Sequence, residues 1–195
     1  MDYKYKVMFF GHSFVHRLQK HFYSAKLFNM DLDSQCKVIF LAKPGGHLAD
    51  MRRLSNVVFE SKPDILIMDI GLNDLCLDHK TLANFILEYK ALIQHFCVNG
   101  IRKIVLLPIW LRSHISQRHS NRSLGQYNEL VKQVNKALLD TFGHDPCQHI
   151  FFYRIRGIWQ NYANLQLDGV HPNDVALNKF SKAYKGCVLL AIKHV

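Results

Sequence analysis

Five short apolar runs, each closed by a turn signal and followed by a stretch of helical periodicity, frame this chain. They are residues 5–10 around Val7-Met8-Phe9-Phe10, then Lys37 to Ala42, Asp64 to Ile70, Lys103 to Pro108 and His149 to Tyr153. The first hardly alternates polar with apolar side chains, the pattern of a strand buried on both faces. Helices are expected over about 14–23 and, from Leu48, Met51, Leu54 and Val58, over about 48–60, with residues 24–36 as loop. Leu82, Phe85, Ile86, Tyr89, Leu92, Ile93 and Phe96 form one stripe that Asn99-Gly100 ends. Ser123 and Gln126 make a capping box before Leu124, Tyr127, Val131, Val134, Leu138 and Phe142. A last helix over about 174–192 turns Val175, Phe180, Tyr184, Val188 and Ala191 inward. Strands alternating with helices imply right-handed crossovers and a parallel sheet covered on both sides. The expected architecture is α/β, a single three-layer α/β/α domain over residues 1–195 with five parallel strands.

Composition narrows the setting. A chain of 195 residues suits one domain, and 49% apolar with 21% charged residues is a globular balance. No apolar run reaches the roughly 18 residues of a membrane span. The start Met1-Asp2-Tyr3-Lys4 lacks a signal-peptide pattern, so an intracellular, cytoplasmic location is expected. Cys36, Cys76, Cys97, Cys147 and Cys187 are odd in number and widely spaced, which speaks for reduced thiols over a disulfide framework or zinc knuckle. The net charge of +10 favours anionic partners such as nucleic acid, phospholipid headgroups or acidic substrates. Its spread along the whole chain fits a plain solvated surface equally well.

Ligands of such a sheet bind beyond the carboxyl ends of its strands. There, Gly11-His12-Ser13-Phe14 follows the first run at once and sets Ser13 on a tight strand-to-helix turn. The hydroxyl is exposed and the Ser13 N–H stands at the positive end of a helix, where a nucleophile gains most. The other strand ends carry Gly45-Gly46, Asn73, the 109–122 loop, and Asp168 with His171. Jointly they supply an acyl-transfer site. Ser13 attacks, His171 takes and returns the proton, and Asp168 holds the imidazole tautomer. The N–H of Ser13, the N–H of Gly46 and the amide of Asn73 are the oxyanion donors.

On four blocks the chain resembles the SGNH hydrolases, also called the GDSL esterase/lipase family, along essentially its whole length. The blocks are Gly11-His12-Ser13, Pro44-Gly45-Gly46-His47, Gly71-Leu72-Asn73-Asp74 and Asp168-Gly169-Val170-His171-Pro172. The resemblance implies a flavodoxin-like sheet and hydrolysis of small acetyl or lipid-like esters without metal or cofactor. His12 stands where the family usually has aspartate. It braces the turn, faces substrate, or adds a cation beside the nucleophile. Trp110 and Arg112, just past Pro108, are candidate substrate contacts, and a core position suits Trp110 as well. Asp74 reads as a turn-stabilising carboxylate and Asp69 as a structural hydrogen-bonding group. The 109–122 loop holds Arg112, His114, Arg118, His119 and Arg122 and no acid. As a basic rim it points to an anionic substrate or, in an alternative where catalysis is weak or lost, to RNA or an anionic membrane, and a solvated loop with no partner fits it equally well. The Gly-His-Ser variant and the +10 charge are also similar to the SGNH-like domains of LINE-type retrotransposon first-open-reading-frame proteins.

Overall fold

The structure, a computed structural model, describes all residues except 1–2, 33–35, 116–120 and 156–164. Its elements are β1 (Tyr5–Gly11), α1 (Ser13–Ser24), β2 (Cys36–Ala42), α2 (Leu48–Arg53), α3 (Ser55–Ser61), β3 (Ile65–Asp69), α4 (Leu82–Val98), β4 (Lys103–Leu106), α5 (Leu124–Phe142), β5 (Ile150–Phe152) and α6 (Asp174–Lys193). Short 3-10 turns lie at Phe28–Asp31 and Asp74–Cys76. The strands pair in parallel in the order β2-β1-β3-β4-β5, the flavodoxin-like order. In that order the chain reverses its direction of travel across the sheet at β1. The crevice of the fold therefore opens past Gly11, which is where Ser13 stands.

Both faces of the sheet are covered, and the alternation along β1 shows how. Phe9 stacks on Phe40 and on Tyr184 of α6, while Phe10 meets Phe96 of α4 edge-on from the other side. Each such aromatic contributes roughly 1.5–3 kcal/mol by leaving water. Every residue of β3 is buried, which explains an apolar run without alternation. Gly100 closes α4 with φ +87, and the Ser123–Gln126 capping box forms at the start of α5.

Three local expectations change. The helix expected over 48–60 is two helices, broken at Leu54, where ψ is −3° and the Ser55 hydroxyl donates to Arg52 C=O at 2.7 Å. Val175 is 61% exposed, because the buried stripe of α6 runs through Ala176, Phe180, Tyr184, Cys187 and Ala191, one position out of phase with it. The loop over 24–36 contains a 3-10 turn. Among the described residues, no helix is long and apolar enough to cross a membrane.

Candidate active site

Ser13 is the first residue of α1, so its N–H is one of the donors a helix start leaves without an internal acceptor. Its hydroxyl lies 3.0 Å from His171 Nε2, and His171 Nδ1 lies 2.6 Å from Asp168 Oδ2. The Asp168-Gly169-Val170-His171 turn is wound tightly around the carboxylate. Asp168 Oδ1 accepts from the N–H groups of Val170 and His171, both at 2.9 Å. Gly169 adopts φ +67, and a Cβ there would stand 2.6 Å from the Cβ of His114, so only glycine suits it. Partial burial pushes the Asp168 carboxyl upward. The bonds from the His171 backbone and ring and from Val170 outweigh that and hold its pKa at about 2. A carboxylate held ionised can only accept, so His171 Nδ1 carries the proton. Nε2 is then free to accept from the Ser13 hydroxyl.

The oxyanion side differs from its sequence reading in one respect. Asn73 lies at the carboxyl end of β3, where its Nδ2 donates to Gly46 C=O at 3.0 Å. The Gly46 N–H, expected to face substrate, donates instead to Lys43 C=O at 2.9 Å. Pro44 and Gly45, the latter at φ +72, fold the chain into a tight turn that claims this donor. Gly46 thus enters the site through its carbonyl. Asp74 anchors the same segment: both its oxygens accept from Leu48 N–H, at 3.0 and 3.1 Å. Burial raises its carboxyl above the usual range.

His12 does not face substrate. It is 1% exposed and its Nδ1 accepts from Phe14 N–H at 3.4 Å, a cap on α1. Nor is it a cation, because burial first, then the nearby Arg112 charge, lowers its pKa to about 3. Its Nε2 lies 3.7 Å from Asp69 Oδ1, and Tyr184 donates to Asp69 Oδ2 at 2.8 Å. Burial raises the Asp69 carboxyl to about 7.

Trp110 is likewise no substrate contact: it packs between Phe14 and Phe180 in the core. Two arginines of the basic rim, Arg112 and Arg122, are bonded to the protein itself. Arg112 is 8% exposed and donates to Cys76 Sγ, Leu72 C=O and Asn73 Oδ1. Arg122 donates to the carbonyls of Leu77, Asp78 and Lys80. Arg118 and His119 lie outside the described residues. Two residues that sequence reasoning passed over hold this loop, Asn128 on Arg112 and Asn135 on Ile109. A cavity of about 510 Å³ opens beside His171 and Asp168, walled by Arg112, His114, Ile115 and Leu167. Among the described residues, no three His, Cys, Asp or Glu side chains converge as a metal cage.

A parallel sheet that delivers a serine to a histidine and an aspartate at its switch point is the layout of an α/β carboxylic ester hydrolase. Residues 11–184 match the family of GDSL-like lipases and acylhydrolases, and the chain belongs to it. The structure is similar to that of the acetyl xylan esterase AlAXEase, at 20% identity over 94% of this chain and 99% of that one, with a TM-score of 0.65. It is also similar to LAE5, an alpha/beta hydrolase from the metagenome of Lake Arreo, Spain, at 16% identity over 98% of each chain and a TM-score of 0.63. Axe2, an acetylxylan esterase from Geobacillus stearothermophilus, aligns at 17% identity over 93% of each chain, with a TM-score of 0.61. At these identities the likeness is one of fold. No curated protein matches the chain.

Proposed function

We propose that this chain hydrolyses small carboxylic esters through an acyl-enzyme on Ser13. The observation that carries the reading is the unbroken chain Asp168 Oδ2, His171 Nδ1, His171 Nε2, Ser13 Oγ, with contacts of 2.6 and 3.0 Å. Ser13 Oγ attacks the ester carbon while His171 Nε2 takes its proton, and Asp168 balances the imidazolium that results. The carbonyl oxygen, now negative, rests on the Ser13 N–H and on the Asn73 Nδ2 proton not used by Gly46. As the tetrahedral adduct collapses, His171 protonates the departing alkoxide and the alcohol leaves. Water, deprotonated by the same imidazole, then releases the acid and frees Ser13. The open cavity beside His171 suits a short acyl or lipid-like ester, and the structural similarity to two acetylxylan esterases is in keeping with an acetyl group.

The alternative use of the rim, to hold RNA or an anionic membrane, has less support, since Arg112 and Arg122 are already bonded to protein acceptors. The test is hydrolysis of p-nitrophenyl acetate by the wild type and by Ser13→Ala. The variant is expected to lose at least about 10³-fold in kcat/KM, and a fluorophosphonate probe to label Ser13 alone. Equal rates for the two proteins would refute the reading.

A further inference from the structure

The least expected group beside this site is a buried cation that no carboxylate among the described residues neutralises. Arg112 forms no ion pair among the described residues. Its Nη1 lies 2.8 Å from Cys76 Sγ, its Nη2 lies 3.4 Å from Leu72 C=O and 3.3 Å from Asn73 Oδ1, and its guanidinium carbon sits 5.0 Å from the centre of the Tyr127 ring. A thiol, carbonyl dipoles and a ring face soften the burial of a positive charge without cancelling it. The backbone on both sides of that charge is fixed. Asn128 bonds the N–H and the C=O of Arg112, both at 2.9 Å.

We infer that Arg112 is a positioning residue for the reaction, acting through Asn73, and that the oxyanion formed on Ser13-bound substrate is its counter-ion. The inference rests on the esterase reading above. Guanidinium can only donate and a backbone carbonyl can only accept, so the two ends of the Asn73 amide are told apart by their partners. Oδ1 must face Arg112, and Nδ2 must face Gly46 C=O and the reacting oxygen beyond it. An amide turned the other way would set donor against donor and acceptor against acceptor. Arg112 thereby selects the only rotamer in which Asn73 can donate to substrate. A cation on Oδ1 also draws electrons from the amide and makes the Nδ2 proton a stronger donor, an effect that grows as negative charge builds on the far side. Lysine cannot replace this fork, because a single ammonium has no planar geometry with which to reach Cys76, Leu72 and Asn73 together.

A merely structural role, tying down the Asp74–Cys76 turn, predicts something different, and a double-mutant cycle separates the two. Arg112→Met is expected to lower kcat on p-nitrophenyl acetate by about 30- to 100-fold with KM changed less than about 3-fold, and Arg112→Lys to recover little of it. Asn73→Ala alone is expected to lose about 10²- to 10³-fold. Adding Arg112→Met to Asn73→Ala should then cost less than about 3-fold more, because the route through Asn73 is already gone. Arg122→Met, which frees neighbouring carbonyls without touching Asn73, is expected to leave kcat near that of the wild type. Multiplicative losses in the double variant, or wild-type kcat in Arg112→Met, overturn the inference. A readout independent of turnover accompanies these rates, the side-chain ¹⁵N–¹H signals of Asn73. They should move in Arg112→Met and stay in Arg122→Met, and unmoved signals in Arg112→Met overturn the inference even if no ester is hydrolysed. Inactivity of the wild type itself would strike the esterase reading, while the amide signals would still decide whether Arg112 orients Asn73.

Discussion

Imidazole does at position 12 what a short carboxylate does at other helix starts: Nδ1 accepts from Phe14 N–H at 3.4 Å. The ring then directs its other nitrogen toward Asp69, 3.7 Å away and equally buried. Reinstating the family's aspartate would place two carboxylates in one dry pocket, where both cannot ionise together. His12→Asp is therefore expected to melt several degrees below His12→Asn at pH 8, with the gap narrowing at pH 5, where one carboxylate keeps its proton. Thermal melts at the two pH values check this, and identical curves at pH 8 would sink the account. Bracing of the turn was legible in the sequence only as one of three roles open to His12, because a place before a helix permits a cap without requiring one. The charge of His12 was not, since burial comes from Phe14, Asp69 and the rest of the fold, mostly far along the chain. Gly46 is the converse case. Its proximity to Asn73 could be read from the block order, but the direction of an N–H depends on backbone torsions, and the Pro44-Gly45 turn sends it to Lys43.

Helix α5 works on the site through two amides seven residues apart. Asn135 bonds the N–H and C=O of Ile109, each at 2.8 Å, and Asn128 bonds those of Arg112, each at 2.9 Å. Truncating either to alanine leaves a buried backbone N–H and C=O without that partner, and about 2–3 kcal/mol of stability should go in urea unfolding. The two variants should part in kinetics. Asn128→Ala frees the residue that orients Asn73 and is expected to lower kcat more than Asn135→Ala does; the reverse order would argue against the clamp. The alternation of strands and helices, and most of the buried stripes, were readable from periodicity alone. The loop after β4 was not, because its arginines read as a rim turned outward, toward an anionic partner or plain solvent, and not as donors to the protein's own carbonyls. The signal was in α5 all the same: Asn128 and Asn135 are in phase with Val131 and Leu138, so they belong to the buried stripe and need partners there.

Across the whole molecule, the buried pair beneath Ser13 makes a claim about stability against pH. Burial raises Asp69 to about 7, so on its own it makes the fold hold a proton that the unfolded chain releases near pH 4; stability would fall as pH rises from about 4 to 7. Burial lowers His12 to about 3, so on its own it makes the unfolded chain bind a proton that the fold refuses below about pH 6.5; stability would rise with pH from about 3 to 6.5. Between about pH 4 and 6.5 the pair carries one proton in either state, on Asp69 when folded and on His12 when unfolded, and the two slopes offset. Asp168 stands apart. Held at about 2, it contributes stability above about pH 4 that disappears as pH falls toward 2. Removing one partner uncovers the slope of the other. Relative to wild type, Asp69→Asn should lose stability as pH drops from 6.5 to 4.5, at up to about 1.4 kcal/mol per pH unit, and His12→Asn should lose it as pH rises over the same span. Urea unfolding at pH 4.5, 5.5 and 6.5 reads both. Lines parallel to the wild type would mean that the pair is not exchanging one proton for another, and slopes of opposite sign would mean that it is.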